Sequence, residues 1–220
     1  VQMLLLPRFV HLRKSGFDIP EYARSFRIGF VFSVCVALAA SMASHDLVSI
    51  CFGYGAMTQE HVEAVSQLFV IGIWAVPLIV AGFTWQQVFY ANEQPSIPFK
   101  VGLLQALLCV PAAWYGQYYF LETGVMASSV LMQLLGLVLL VVIAQRCGLY
   151  NFSHEFRLLA QMLGAAFVVF VPLAALYGSM DFSPVTGVIA ACVVGTILVI
   201  ASFVPDAAIR RIMLNMRARA

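Results

Sequence analysis

The stretch FGYGAMTQEHVEAV, residues 52–65, comes nearest in residue types to a phosphate-binding loop. It places two glycines, a threonine and two glutamates between long apolar runs. A P-loop needs a Lys-Ser/Thr pair after its glycines, and a dinucleotide fingerprint needs a preceding strand and a third glycine at fixed spacing. Neither is present. The stretch is therefore predicted to be a turn, with Thr58 as the N-cap of the helix that follows.

Neutral amides are the other polar side chains placed to do chemistry. The densest cluster within the apolar runs is Trp85-Gln86-Gln87, and Gln105 lies in the next run. Amides in a membrane helix suit hydrogen bonding to a neighbouring helix. The alternative is that they line a hydrated cavity, which makes Gln86, Gln87 and Gln105 candidates for that role. The sequence leaves both interpretations open.

A stripe of small residues marks the last apolar run. Gly187, Ala191 and Gly195 recur every four residues, and Gly164 lies in the run before it. Small residues at this spacing let two membrane helices approach closely. The pattern favours helix packing, and a groove for a lipid tail is the alternative.

Sets of residues typical of enzymes and metal proteins are missing. The sequence shows no paired carboxylates, no Ser/His/Asp set and no His or Cys pair at metal-ligand spacing. No ionisable residue lies near the centre of an apolar run, which argues against a proton pump or an intramembrane hydrolase. We expect no enzyme activity, no metal, no cofactor and no nucleic-acid partner.

The elements that must position these residues are membrane helices. The chain has 220 residues, 62% of them hydrophobic and 10% charged, whereas soluble domains carry about 25% charged residues. Its uncharged runs are long enough for spanning helices, which need roughly 20 apolar residues. The predicted fold class is all-α, a polytopic membrane bundle. The predicted helices are 27–51, 64–91, 98–120, 122–146, 156–178 and 183–205.

The charges divide between the two faces of this bundle. When the helices are threaded alternately through a membrane, all 12 Lys and Arg fall on one side. The opposite loops carry Asp46, Glu60, Glu63, Glu122 and Asp181. The positive-inside rule makes the basic side cytoplasmic, so both chain ends are predicted to lie there.

The ends of the chain suggest the second part of a longer protein. The segment 1–10 resembles the end of an upstream membrane helix, and the basic segment 11–26 is typical of a cytoplasmic amphipathic linker. Four spans then occupy 27–146 and two final spans 156–205, followed by a basic cytoplasmic tail at 206–220.

The order of motifs resembles the second half of the lipid II flippase family MurJ (also called MviN), within the MOP superfamily. "LLPRF" ends a helix, "ICFGYGAMT" forms an outer loop, "VFYANEQPSIPFK" an inner loop, and "LETGVMASS" opens a helix. The outer loop fits the family pattern F-x-x-G-x-[FM]-T, and the inner loop fits a pattern that begins F-Y-A and ends in Pro. The residues that carry the resemblance are Pro7, Phe52, Gly55, Thr58, Tyr90 and Pro98.

The resemblance implies an alternating-access flippase in the bacterial cytoplasmic membrane. Such proteins move lipid II, an undecaprenyl-diphosphate-linked peptidoglycan precursor, to the outer face. It implies membrane lipids and a missing N-terminal lobe as partners, diphosphate-binding residues upstream of this chain, and a tail groove at 156–205. The alternatives are a MOP-family exporter of another lipid-linked oligosaccharide or of a drug, and a lipid-binding module without transport.

Overall fold

The computed structural model describes residues 7, 9–11, 19–53, 58–149, 152–180 and 183–217, and every regular element in these residues is a helix. The predicted all-α class is confirmed. The helices are α1 Ile19–Met42, α2 Ser44–Phe52, α3 Gln59–Ile73, α4 Ala75–Ala91, α5 Ser96–Arg146, α6 Phe152–Gly178 and α7 Pro184–Arg217.

The helices predicted at 27–51 and 64–91 are each interrupted once. Ala43 separates α1 from α2, and Trp74 separates α3 from α4. The second break has a local cause: Pro77 offers no N–H to the carbonyl of Ile73, and its ring crowds that carbonyl. Kinks are also suggested by the sequence at Pro111 and Pro172, but the helical assignment continues through both.

The longest helix, α5, is a hairpin of two arms, 96–120 and 122–146. A straight helix of 51 residues would measure about 76 Å, whereas the hydrocarbon core of a bilayer is about 30 Å thick. Leu121 breaks the helix with a φ of 54° and a ψ of −136°. The arms correspond to the predicted helices 98–120 and 122–146. Five helical stretches of the described residues are long and apolar enough to cross a membrane, and dividing α5 gives six such segments.

Helix α1 forms the wall between two apolar clusters. On one side Phe26 of α1 packs against Trp85 of α4, with ring centroids 5.5 Å apart, and the second arm of α5 adds Leu140. On the other side Cys35 of α1 joins a cluster with Met162 of α6 and with α7. Each of the two candidate sites described below therefore lies on its own side of α1.

Several predicted segments fall partly outside the described residues. Residues 7 and 9–11 are helical, and α1 begins at Ile19, inside the segment predicted as a linker. Helix α7 continues to Arg217, beyond the predicted end at 205. The assignments of 1–10 and 11–26 to an upstream helix and a linker, and of 206–220 to a tail, stay predictions.

Two helix ends close through the same hydrogen-bond pattern. After α4 the N–H of Gln94 donates to Phe89 O at 2.9 Å, and Glu93 adopts a φ of 59°. After α5 the equivalent left-handed position is Gly148, with a φ of 72°. This is the Schellman motif, which favours glycine because a Cβ is strained there.

Replacement of Gly148 by alanine is expected to lower the free energy of unfolding by about 1 kcal/mol, because the left-handed conformation costs a residue with a Cβ about that much. Thermal unfolding in detergent micelles measures the change. Gly164→Ala is the matched control, since its added Cβ meets no atom within 4 Å and alanine favours a helix. Equal effects of the two substitutions would contradict the left-handed requirement at position 148.

Candidate functional site

Three glutamine side chains line one cavity on the α4 side of α1. Gln86 comes from α4, Gln105 from the first arm of α5 and Gln133 from the second arm. The cavity has a volume of about 170 Å³, which is enough to admit water. The remaining lining is apolar or glycine, and includes Leu78, Phe83, Gly136 and Leu140.

Gln105 is held in place by the opposite arm of the hairpin. Its Nε2 donates to the carbonyl oxygen of Met132 at 2.7 Å. Gly136 makes room for this amide, because a Cβ built there would lie 2.6 Å from Gln105 Oε1. Gln105 therefore bonds to the opposite arm and also lines the cavity.

The structure separates the two adjacent glutamines of α4. Gln86 faces the cavity, whereas Gln87 is half-buried and is not among the residues that line it. Gln133 lines the cavity but is absent from the candidates selected by sequence. The turn at Leu121 brings the two arms into register, and no local pattern around Gln133 indicates its partner.

Charge is absent from the lining of this cavity. Its polar groups are the carboxamides, which donate and accept hydrogen bonds without a net charge. A diphosphate normally binds to Arg, Lys or backbone N–H groups. The cavity therefore suits water or a neutral hydroxyl or amide group better than a phosphate.

An apolar groove lies on the other side of α1. It has a volume of about 460 Å³ and runs between α1–α2 and α7. Phe32, Val36 and Ile200 line it and are exposed. Ala191 and Gly195 belong to its floor.

The small residues of the predicted stripe have different environments. Gly195 lets α7 approach α1, since a Cβ built there would lie 3.1 Å from Ala39 Cβ. Gly187 approaches Asp46 and the Tyr177 hydroxyl. Gly164 is exposed and has open space beside it, so it neither packs closely nor lines the groove.

The motif residues are spread over the ends of the helices. Thr58 is the predicted N-cap of α3, and its side chain accepts a hydrogen bond from the N–H of His61 at 3.5 Å. Pro98 is buried at the start of α5. Gly55 lies outside the described residues. The others, Pro7, Phe52 and Tyr90, are exposed.

Two polar contacts between helices involve residues near the opposite ends of α6. Arg27 of α1 forms an ion pair with Glu155 of α6, with side chains 9% and 15% exposed. At the other end the Tyr177 hydroxyl of α6 donates to Asp46 Oδ2 of α2. In the part of the chain that the structure describes, no group of three or more His, Cys, Asp or Glu is arranged to hold a metal ion.

Comparisons with known proteins agree with this architecture. The family model described as "Lipid II flippase MurJ" matches residues 1–197. The solved structure of a lipid II flippase MurJ in its inward closed conformation superposes with a TM-score of 0.71 at 12% identity, over 90% of this chain. The chain spans 41% of the length of that protein. No curated protein matches the sequence. Because the family model covers nearly the whole chain, the chain belongs to the lipid II flippase MurJ family.

Proposed function

We propose that this chain is the C-terminal part of an alternating-access flippase. Its substrate is lipid II, which it moves from the inner to the outer face of the bacterial cytoplasmic membrane. The observation that carries the proposal is the family match over residues 1–197, in a helical bundle with an exposed apolar groove. An amphipathic substrate with a long hydrocarbon tail has chemistry that fits such a groove.

The groove guides the tail and adds little affinity. Lipid tails are as apolar as the side chains that line the groove, so moving a tail from the bilayer into it gains little hydrophobic free energy. What the groove supplies is a fixed path along α7, past Ala191 and Gly195. In this proposal the tail stays in contact with lipid while the polar head crosses elsewhere.

The glutamine cavity serves the neutral part of the head group or its water. Gln86, Gln105 and Gln133 present carboxamides to it, and its lining carries no charge. The diphosphate then has to be bound by cations in the remainder of the protein, its N-terminal lobe. The 12 Lys and Arg of this chain favour a cytoplasmic basic end with the C-terminus inside, by the positive-inside rule.

Complementation of cells depleted of their own lipid II flippase tests the proposal. The natural full-length gene is expected to restore growth and the appearance of lipid II at the outer face. Growth without outward movement of lipid II would point to another role. Outward movement of a different lipid-linked oligosaccharide, with no effect on lipid II, would favour the MOP-family exporter.

Leucine at Gln86 or Gln133 is expected to lower the transport rate about tenfold, the equivalent of one hydrogen bond of about 1.4 kcal/mol. Both substitutions keep the size of the side chain but remove its polar atoms. Gln87→Leu, on the same helix and outside the cavity lining, is the control and should transport at the normal rate. Outward movement of lipid II in proteoliposomes gives the rates. If all three variants transport normally, the carboxamides only pack.

A further inference from the structure

We propose that Asp46, Tyr177 and Gly187 are positioning residues that close the acidic end of the apolar groove and fix its width. The proposal rests on the groove being the path of a hydrocarbon tail, as in the function proposed above. These residues hold α2, α6 and α7 together at one point. A groove for a tail does not by itself require this contact.

The contact among Asp46, Tyr177 and Gly187, here called the junction, depends on a hydrogen bond and on the small size of glycine. The Tyr177 hydroxyl donates to Asp46 Oδ2, and this joins α6 to α2. Gly187 of α7 lies against both groups: a Cβ built there would be 2.8 Å from the Tyr177 hydroxyl and 2.7 Å from Asp46 Cγ. A side chain at position 187 would collide with both groups, so it would displace them or move α7 away from them.

The junction coincides with one end of the groove. Asp46 directly precedes Leu47, and Gly187 directly precedes Val188, and both Leu47 and Val188 line the groove. Along α7 the lining continues to Ile200, a length of about 18 Å at 1.5 Å per residue. The part of a hydrocarbon chain that lies in this groove therefore meets a polar pair at one end of it.

One more contact joins the two walls of the groove. Cys35 Sγ of α1 lies 4.0 Å from Ser202 Oγ of α7, and both side chains are fully buried. Gly187 against Asp46, and Cys35 against Ser202, hold α7 to α2 and to α1 near the two ends of the groove. We therefore expect the groove to keep one width during transport.

If the Asp46–Tyr177 pair limits how far a tail enters the groove, the protein should select its substrates by the length of the tail. A tail long enough to fill the groove meets the Asp46–Tyr177 pair, which sets how far it enters, whereas a short tail never reaches the pair. Tyr177→Phe is expected to raise KM for a long-tailed lipid-linked substrate about tenfold, with kcat and the KM of a short-tailed analogue unchanged. Asp46→Asn keeps an acceptor for the tyrosine, so it should raise this KM less than Tyr177→Phe does. Equal losses with both tails would overturn the positioning role.

The fixed width is tested by cross-linking, without any transport measurement. In the natural full-length protein, Ser202→Cys is combined with serine at the other cysteines, Cys51, Cys109, Cys147 and Cys192. Cys35 and the new cysteine are close enough to form a disulfide after small side-chain rotations. We expect the same disulfide yield with and without lipid-linked substrate, and a yield that changes with substrate would overturn the proposal.

A second readout covers the case in which Ser202→Cys disturbs the fold. Spin labels at the exposed Cys51 of α2 and at Val193→Cys of α7, with serine at Cys109, Cys147 and Cys192, report the separation of two helices that flank the groove. One narrow distance, unchanged by substrate, is expected. Two distances would overturn the fixed width, and either result stands even if lipid II is not the substrate.

Discussion

Replacement of Gly124 by valine is expected to separate the two arms of α5 and to lower the free energy of unfolding by about 3 kcal/mol, the upper range for overpacking a close contact. A Cβ built on Gly124 would lie 2.8 Å from Phe120 Cβ and would also meet the backbone of Gly116. Backbone atoms cannot rotate away as a side chain can. The only relief is a wider hairpin, and this would pull Gln105 from Met132.

The matched control lies on the same helix. A Cβ built on Gly102 would meet no atom within 4 Å, so Gly102→Ala should keep or slightly raise stability because alanine is the better helix former. Unfolding in mixed micelles compares the variants, and cross-linking between the arms reports their separation. Stability loss at position 124 with the arms still in contact would show that the glycine pair does not set the hairpin.

Hydropathy and charge predict most of this fold, because the bilayer requires long apolar helices with satisfied backbones. The turn at Leu121 shows in the sequence as the single charge, Glu122, between two apolar runs. The break at Trp74 is less visible. Pro77 indicates a disturbance, but Pro111 and Pro172 give the same signal without a break. A proline in the sequence therefore does not by itself determine where a helix is interrupted.

The candidate sites depend on helix orientation and on long-range contacts, which the sequence pattern does not show. Gln86 and Gln87 are equivalent in composition, yet one faces the cavity and the other does not, since adjacent positions point about 100° apart on a helix. Asp46 and Tyr177 are 131 residues apart. Each alone resembles an ordinary residue near the end of a helix, and only the tertiary arrangement of α2, α6 and α7 brings them together.

Loss of the Arg27 side chain is expected to cost about 3 kcal/mol or more of unfolding free energy, because it leaves the Glu155 carboxylate in a poorly solvated site without this cation. Both side chains are largely buried, with exposures of 9% and 15%. Arg27→Met retains a long apolar side chain in the contact between α1 and α6. Chemical unfolding in micelles measures the loss, and protease cleavage near α6 shows whether that helix comes away.

A double variant distinguishes the attraction between the two charges from the cost of burying them. Arg27→Met with Glu155→Met removes both charges, so it should recover most of the stability lost in the single variant, as apolar pairs often replace buried ion pairs without cost. Arg157→Met is the control: Arg157 is exposed two residues further along α6, and a surface change of this kind alters stability by about 0.5 kcal/mol at most. A single variant as stable as this control would mean that Glu155 is well solvated without Arg27. The contact between α1 and α6 would then depend on the apolar cluster around Cys35 and Met162.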